Sequence, residues 1–224
     1  MFSATTIQPT GAAAISTTPA RQVRPSRTWP QLAYRVARRA AGLRLIQVWA
    51  CDLNAISEPR WDNPYEFREF DADELARLAA DPASDLTADV VAQLTAAGHR
   101  CFGTVHGRNL AGYVWCAVRD ISREHTLDVP LTLPGDACYV FKAFTVPAYR
   151  GRRIHNITLK RVLVELSRLG KTRGIAIIEY GNVASMRSHD RVGMKPQGWI
   201  ATLGPGRFAW RWYAQAARQC GFGG

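Results

Sequence analysis

No apolar run in this chain approaches the ~20 residues that a membrane-crossing helix needs, so no span is expected. The cysteines, at 51, 101, 116, 138 and 220, are odd in number and scattered, with no C-x-x-C pair. That spacing argues against a zinc site or a disulfide framework and for reduced thiols acting as small hydrophobes. No metal site is expected. Acids are missing from the first 51 residues, which carry seven arginines. They are scarce again over 137–224, where fifteen bases face three acids. The amino-terminal stretch lacks the compact apolar core of a secretory signal. No internal repeat and no aromatic-interleaved RNA motif is present, which makes nucleic acid a poor candidate partner.

What is there suits one globular domain. The chain has 224 residues, an apolar share of 47% and a net charge of +11. The acids concentrate over 52–98, where eleven face three bases. That block suits a cationic substrate or partner, or is a solvated face. The basic carboxy-terminal half suits a ligand with several phosphate groups and, on charge alone, nucleic acid equally.

Residues 1–30 are rich in Ser, Thr, Ala, Pro and Gly without periodicity, and are expected to form a disordered basic tail. Their Arg-rich character resembles an organelle transit peptide; an ordinary tail on a cytoplasmic protein has the same composition. A basic amphipathic helix is expected next, over 31–43, with the main domain over 44–224. In PQLAYRVARRAA (30–41), Leu32, Val36 and Ala40 repeat every four residues, and Arg35, Arg38 and Arg39 lie on other faces. Such a helix, with its flanks 30–44, fits weak contact with an anionic membrane surface or packing on the domain; the thin stripe favours packing.

A strand is expected over 43–53, then acidic helices near 72–80 and 88–97. HRCFGTVHG and LAGYVWCAV read as a hairpin. A strand over 138–146 follows, with Tyr139, Phe141, Ala143 and Thr145 on one face and Val140, Lys142, Phe144 and Val146 on the other. Lys142 there needs a charge or a cleft to meet. The turn 147–153 is basic, and a helix starts near Ile154 with Leu159, Val162, Leu163, Leu166 and Leu169 as its stripe. The strand GIAIIEYG comes next. Asn182 is expected to cap a helix that stops at Gly193, and two strands near 199–203 and 208–213 end the chain. A strand running into a basic turn at a helix N-terminus is a place to hold phosphate, because unpaired N–H groups and the helix dipole point there.

The order Val146-Pro147-Ala148-Tyr149-Arg150-Gly151-Arg152-Arg153-Ile154-His155, then Asn182-Val183-Ala184-Ser185, His189 and Gly193-Met194, resembles the signature of the GNAT superfamily of N-acetyltransferases. Arg153 and His155 stand where that family has small residues, and His189 where it has tyrosine. The resemblance implies an α/β (α+β) fold: a single mixed, mostly antiparallel sheet flanked by helices. Two adjacent strands, the family's fourth and fifth, splay apart near 144–146 and 179–180. It implies transfer of an acetyl or other acyl group from acetyl-CoA to a primary amine of a small molecule, amino sugar or peptide. The cofactor-binding residues would be Phe144, Thr145, Val146, Arg150, Gly151, Arg152, Arg153, Ile154, His155, Asn182 and Ser185. The pantetheine arm would enter the splay and the pyrophosphate would rest on the N–H groups of 151–155. His189 would act as general acid toward the sulfur. No general base stands out: Glu179, Asp136, Tyr139 and His125 qualify by type only, and Glu179 suits pairing with an arginine. A homodimer stays open, as do a coenzyme A-binding sensor or scaffold without turnover and a basic nucleic-acid-binding module.

Overall fold

The computed structural model describes residues 29–60, 64–82 and 84–223. The tail expected over 1–30 lies outside them except for its last two residues. The first half of the chain forms α1 (Trp29–Ala41), β1 (Arg44–Asp52), β2 (Tyr65–Glu69), α2 (Ala72–Ala80), α3 (Ala88–Ala96), β3 (Arg100–His106) and β4 (Asn109–Ala117). The second half forms β5 (Ala137–Thr145), α4 (Ile154–Arg168), β6 (Arg173–Glu179), α5 (Val183–Arg191), β7 (Lys195–Leu203), β8 (Trp210–Tyr213) and α6 (Gln215–Gln219). The strands make one sheet in the order β2-β3-β4-β5-β6-β1-β7-β8. Only β5 and β6 run parallel; the other neighbours are antiparallel. The expected mixed sheet flanked by helices is the one observed.

Apolar side chains close both faces. On one, Leu159, Val162, Leu163 and Leu166 of α4 pack on Trp49, Phe102, Val114, Cys138, Val140 and Ala176. Thr104 and Thr158 meet there through their hydroxyls at 2.7 Å, which satisfies both in a dry interface. Leu169, expected in the same stripe, lies past the last helical residue and is exposed. On the other face, Leu75 of α2, Leu94 of α3 and Phe222 cover Ile46, Tyr113, Trp115, Tyr139 and Phe141. All five cysteines are free thiols.

Strict alternation along β5 fails at Lys142. Trp115 pairs with Phe141 but Tyr113 pairs with Phe144, so β5 carries one extra residue, and Lys142 takes a φ of 41° to fit it in. Beyond this bulge Phe144 and Val146 pack with Tyr139 and Phe141 rather than with Val140. Pairing between β5 and β6 covers only Ala137–Arg173, Cys138–Gly174 and Tyr139–Ile175. The splay thus opens from Val140, earlier than expected. Lys142 meets both of its required environments: its Nζ lies 3.6 Å from Asp85, and it borders the opening.

The expected stripe of α1 is not its docking face. Leu32, Val36 and Ala40 are exposed, while Tyr34 is buried. The Tyr34 hydroxyl accepts from the Leu45 N–H at 3.2 Å and donates to Glu179 at 3.1 Å. Its ring stands edge-on to Tyr180, with centroids 5.1 Å apart. Arg38 adds a 3.0 Å ion pair to the same Glu179. Among the described residues Tyr34 is the buried side chain of α1, and it joins the helix to both β1 and the end of β6. Replacing it, Tyr34→Ala, is expected to speed amide hydrogen exchange over 29–41 markedly while leaving protection in β1, β6 and α4 intact. Unchanged exchange in α1 would show that other contacts hold the helix.

Candidate functional site

The splay forms a cleft of about 620 Å³ between β5, α4 and α5. Its floor is Leu159 and Ile177, and its walls include Phe144, Thr145 and Ala184. At one end β5 runs through a short 3-10 turn, Pro147–Tyr149, into the start of α4. The Arg150 Nε donates to the Thr145 carbonyl at 3.2 Å, closing this turn.

Gly151 and Arg153 both occupy the left-handed region, with φ of 79° and 61°. Arg153 thereby takes a backbone shape ordinarily left to glycine, at a cost of about 1–2 kcal/mol. Its side chain is exposed, so its bulk stays out of the cleft interior. It sits at the N-cap of α4 and makes no side-chain cap bond. The first bond of the helix from this cap runs from the Ile157 N–H to the Arg153 carbonyl. The N–H groups of Ile154, His155 and Asn156 precede that bond and have no intrahelical acceptor. Among the described residues no carboxylate lines the cleft, whereas Lys142, Arg150, Arg153 and Arg191 do. The turn is therefore a concave, electropositive surface with donors to spare, and the residues present fit a phosphate-bearing ligand.

At the other end Asn182 caps α5, its Oδ1 accepting from the Ser185 N–H at 3.1 Å. Ser188 donates to Asn156, which ties α5 to the first turn of α4. His189 is buried, with Nδ1 2.8 Å from the Ser185 carbonyl. A carbonyl can only accept, so Nδ1 carries the proton and the neutral ring keeps its lone pair on Nε2. Burial pushes the His189 imidazolium down in pKa, against the opposing pull of that carbonyl. Burial, reinforced by the neighbouring His189, pushes His155 down to about 4. Both rings are neutral at pH 7. That state differs from the protonated donor expected at position 189.

Ten of the residues singled out in the sequence line this cleft: Phe144, Thr145, Arg150, Gly151, Arg153, Ile154, His155, Asn182, Ser185 and His189. Two do not. Val146 gives its N–H to the Ala111 carbonyl and borders a separate pocket beside Tyr149. Arg152 is exposed, with its guanidinium 5.7 Å from the Tyr149 ring centre. Asn156, Ser188 and Arg191 were not singled out. Helical spacing carried the signal for Asn156 and Ser188, since each lies three residues after a named position, Arg153 and Ser185. The base candidates are engaged elsewhere: Glu179 with Tyr34, Arg38 and Arg44, Asp136 with Thr172 and Arg173, and the Tyr139 hydroxyl with the His125 carbonyl. His125 packs against Phe141 beside Glu124.

No protein-family model matches the chain, and no curated protein matches it. Solved structures do. A GCN5-related N-acetyltransferase from Sphaerobacter thermophilus is 16% identical with a TM-score of 0.53, over 81% of this chain and 56% of that one. A GCN5-related N-acetyltransferase from Kribbella flavida is 13% identical with a TM-score of 0.51, over 79% of this chain and 65% of that one. A GCN5-related glucosamine N-acetyltransferase region of a fungal multi-domain GH3 β-N-acetylglucosaminidase is 11% identical with a TM-score of 0.53, over 77% of this chain and 22% of that one. The chain thus spans less than two thirds of the length of each. At these identities the likeness is one of fold alone, the fold seen in these acetyltransferase structures.

The two lowered histidines of the cleft make stability depend on acid, as do His99 and His125, which burial also lowers. An unfolded histidine protonates near ~6.5, whereas the folded protein holds His155 neutral down to about 4. The unfolded state therefore binds more protons between those values, and stability falls as pH drops through that window. The loss from His155 should be on the order of 3 kcal/mol by pH 4, with none above pH 7. Denaturant melts at successive pH values are expected to show this slope, and His155→Gln to reduce it, the other lowered histidines keeping their share. An equal slope in the variant would mean that His155 is not a group held neutral.

Proposed function

We propose that the protein is an acyl-CoA-dependent N-acyltransferase that delivers an acetyl or other acyl group to a primary amine of a small molecule, amino sugar or peptide. The observation that carries this reading is the opening between β5 and β6 onto a left-handed basic turn at the start of α4. The N–H groups of 151–155 would hold the pyrophosphate, with charge from Arg150 and Arg153 beside it. Arg152, stacked over Tyr149, would add only longer-range attraction. The edge of β5 released by β6, at Phe144 and Thr145, would pair with the amide-bearing arm, and Val146 would end that edge. Asn182 and Ser185 would border the reacting end. Acetyl-CoA, when bound, supplies the activated acyl thioester.

His189 would move the proton. The attacking amine must lose one as its nitrogen is acylated, and the departing thiolate must gain one. A neutral imidazole anchored through Nδ1 can take that proton at Nε2 and return it to the sulfur from the same atom. The low imidazolium pKa suits this order: the ring starts as a base and becomes an acid only in passage. A resident imidazolium would instead be scarce at neutral pH.

Calorimetric titration with acetyl-CoA, followed by thiol release on a panel of amines, tests the whole reading. An added Cβ at Gly151 meets no atom within 4 Å, although φ of 79° strains any side chain. Aspartate tolerates that region better than most residues, so, with Gly151→Asn as the control for strain, Gly151→Asp places a carboxylate at the proposed pyrophosphate position. Its binding of coenzyme A should weaken by about 2 kcal/mol, roughly 30-fold. Unaltered affinity would move the ligand elsewhere. Binding without turnover on any amine would favour a sensor over an enzyme.

The histidine has its own assay. His189→Phe should keep coenzyme A affinity and lose roughly 10²-fold in kcat. In the unsubstituted protein kcat/KM should climb with pH through a value below ~6.5, and this limb should vanish in the variant. A limb falling as pH rises through that value would restore the general-acid role and sink the shuttle.

A further inference from the structure

The helix that docks through Tyr34 turns its apolar side to solvent. Trp29, Leu32 and Val36 recur at i, i+3 and i+7, which places them on one face. They are 84%, 46% and 60% exposed. Arg35 and Arg39 flank this stripe, and α1 contains neither Asp nor Glu. A strong separation of apolar and cationic faces in a helix of modest overall hydrophobicity is the pattern of helices that lie in a membrane interface.

The β7–β8 hairpin continues the surface. Leu203 pairs with Trp210 and Ala201 with Trp212, and paired residues project to one side of a sheet. Leu203, Trp210 and Trp212 are all exposed, as is Phe208 in the turn between the strands. Residues 195–224 also contain no acid. Helix and hairpin adjoin: a Cβ at Gly42, just after α1, would lie 3.3 Å from the Gly204 backbone. Tyr180 links them again, with Tyr34 on one side and the Trp199 ring, 6.0 Å between centroids, on the other.

We propose that α1 and the β7–β8 hairpin form a docking surface for an anionic lipid bilayer. Tryptophan is favoured at the headgroup level, where its ring is buried and its N–H stays wet. Arg35 and Arg39 would meet anionic headgroups while Leu32 and Val36 enter the acyl boundary. A second copy of this chain fits less well. A two-fold contact through this patch would set arginine against arginine with no acid on α1 to pair them. A phosphate backbone would leave the apolar stripe without a partner.

The full chain should be tested for co-flotation with phosphatidylcholine vesicles, with and without phosphatidylserine. Binding is expected only with the anionic lipid, and Arg35→Gln or Arg39→Gln should each weaken it about fivefold. The double change Leu32→Gln with Val36→Gln should weaken it about tenfold or more, because apolar burial contributes separately from charge. Arg38 and Tyr34, which hold α1 in place, stay unaltered. Four results would overturn the proposal: no binding, equal binding to neutral vesicles, no effect of the apolar double change, or a sedimenting dimer that the same substitutions dissociate.

Discussion

The site depends on one residue that does not fit its strand. Lys142 sits at φ 41° inside β5, a conformation that costs a non-glycine residue about 1–2 kcal/mol. Its pair with Asp85 at 3.6 Å is partly exposed and contributes at most about 1 kcal/mol, so it does not alone offset that cost. The β4–β5 ladder holds the bulge, since pairing resumes at Phe144 and Thr145 and packs the half-buried Phe144 against Tyr113. A bulge bends its own strand and not the neighbour. β6 remains paired with β1 as far as Glu179, so β5 alone departs and a cleft opens between two otherwise parallel strands.

The elements were legible where their causes are local. Asn182 was readable as a cap because the cap bond reaches only three residues on. The turn was readable because Gly151 and the arginines around it adjoin a helix start. The bulge was not, because nothing in CYVFKAFTV marks a lysine for positive φ; β4 imposes it from a distant part of the chain. β2 was missed for a similar reason. Tyr65–Glu69 carries three charged or polar positions in five and is held by pairing with β3 rather than by its own composition.

The face of α1 shows the same limit more sharply. Periodicity identified Leu32, Val36 and Ala40, and periodicity alone assigns the apolar stripe to the domain. The structure inverts this because the Tyr34 hydroxyl finds both an N–H and a carboxylate at the strand ends. Its partner Glu179 is 145 residues away, and no window along the sequence contains both. An apolar stripe is thus a statement about what a helix could bury, and the docking residue decides which side it does bury.

Glu179 connects that docking to the chemistry of the cleft. It ends β6, one wall of the opening, and by residue type it is a candidate base. Its Oε1 instead lies 3.0 Å from Arg38 and 3.7 Å from Arg44, on the side of α1. Held by two guanidiniums and the Tyr34 hydroxyl, this carboxylate is committed to the docking of α1 and does not line the cleft. With Glu179 withdrawn and no other carboxylate lining the cleft among the described residues, its charge stays positive and the proposed proton transfer is left to an imidazole. A positive cleft favours a polyanionic ligand, whereas burial keeps His189 neutral. Charge thus suits the proposed phosphate site, and burial, a separate cause, suits the base role proposed for His189.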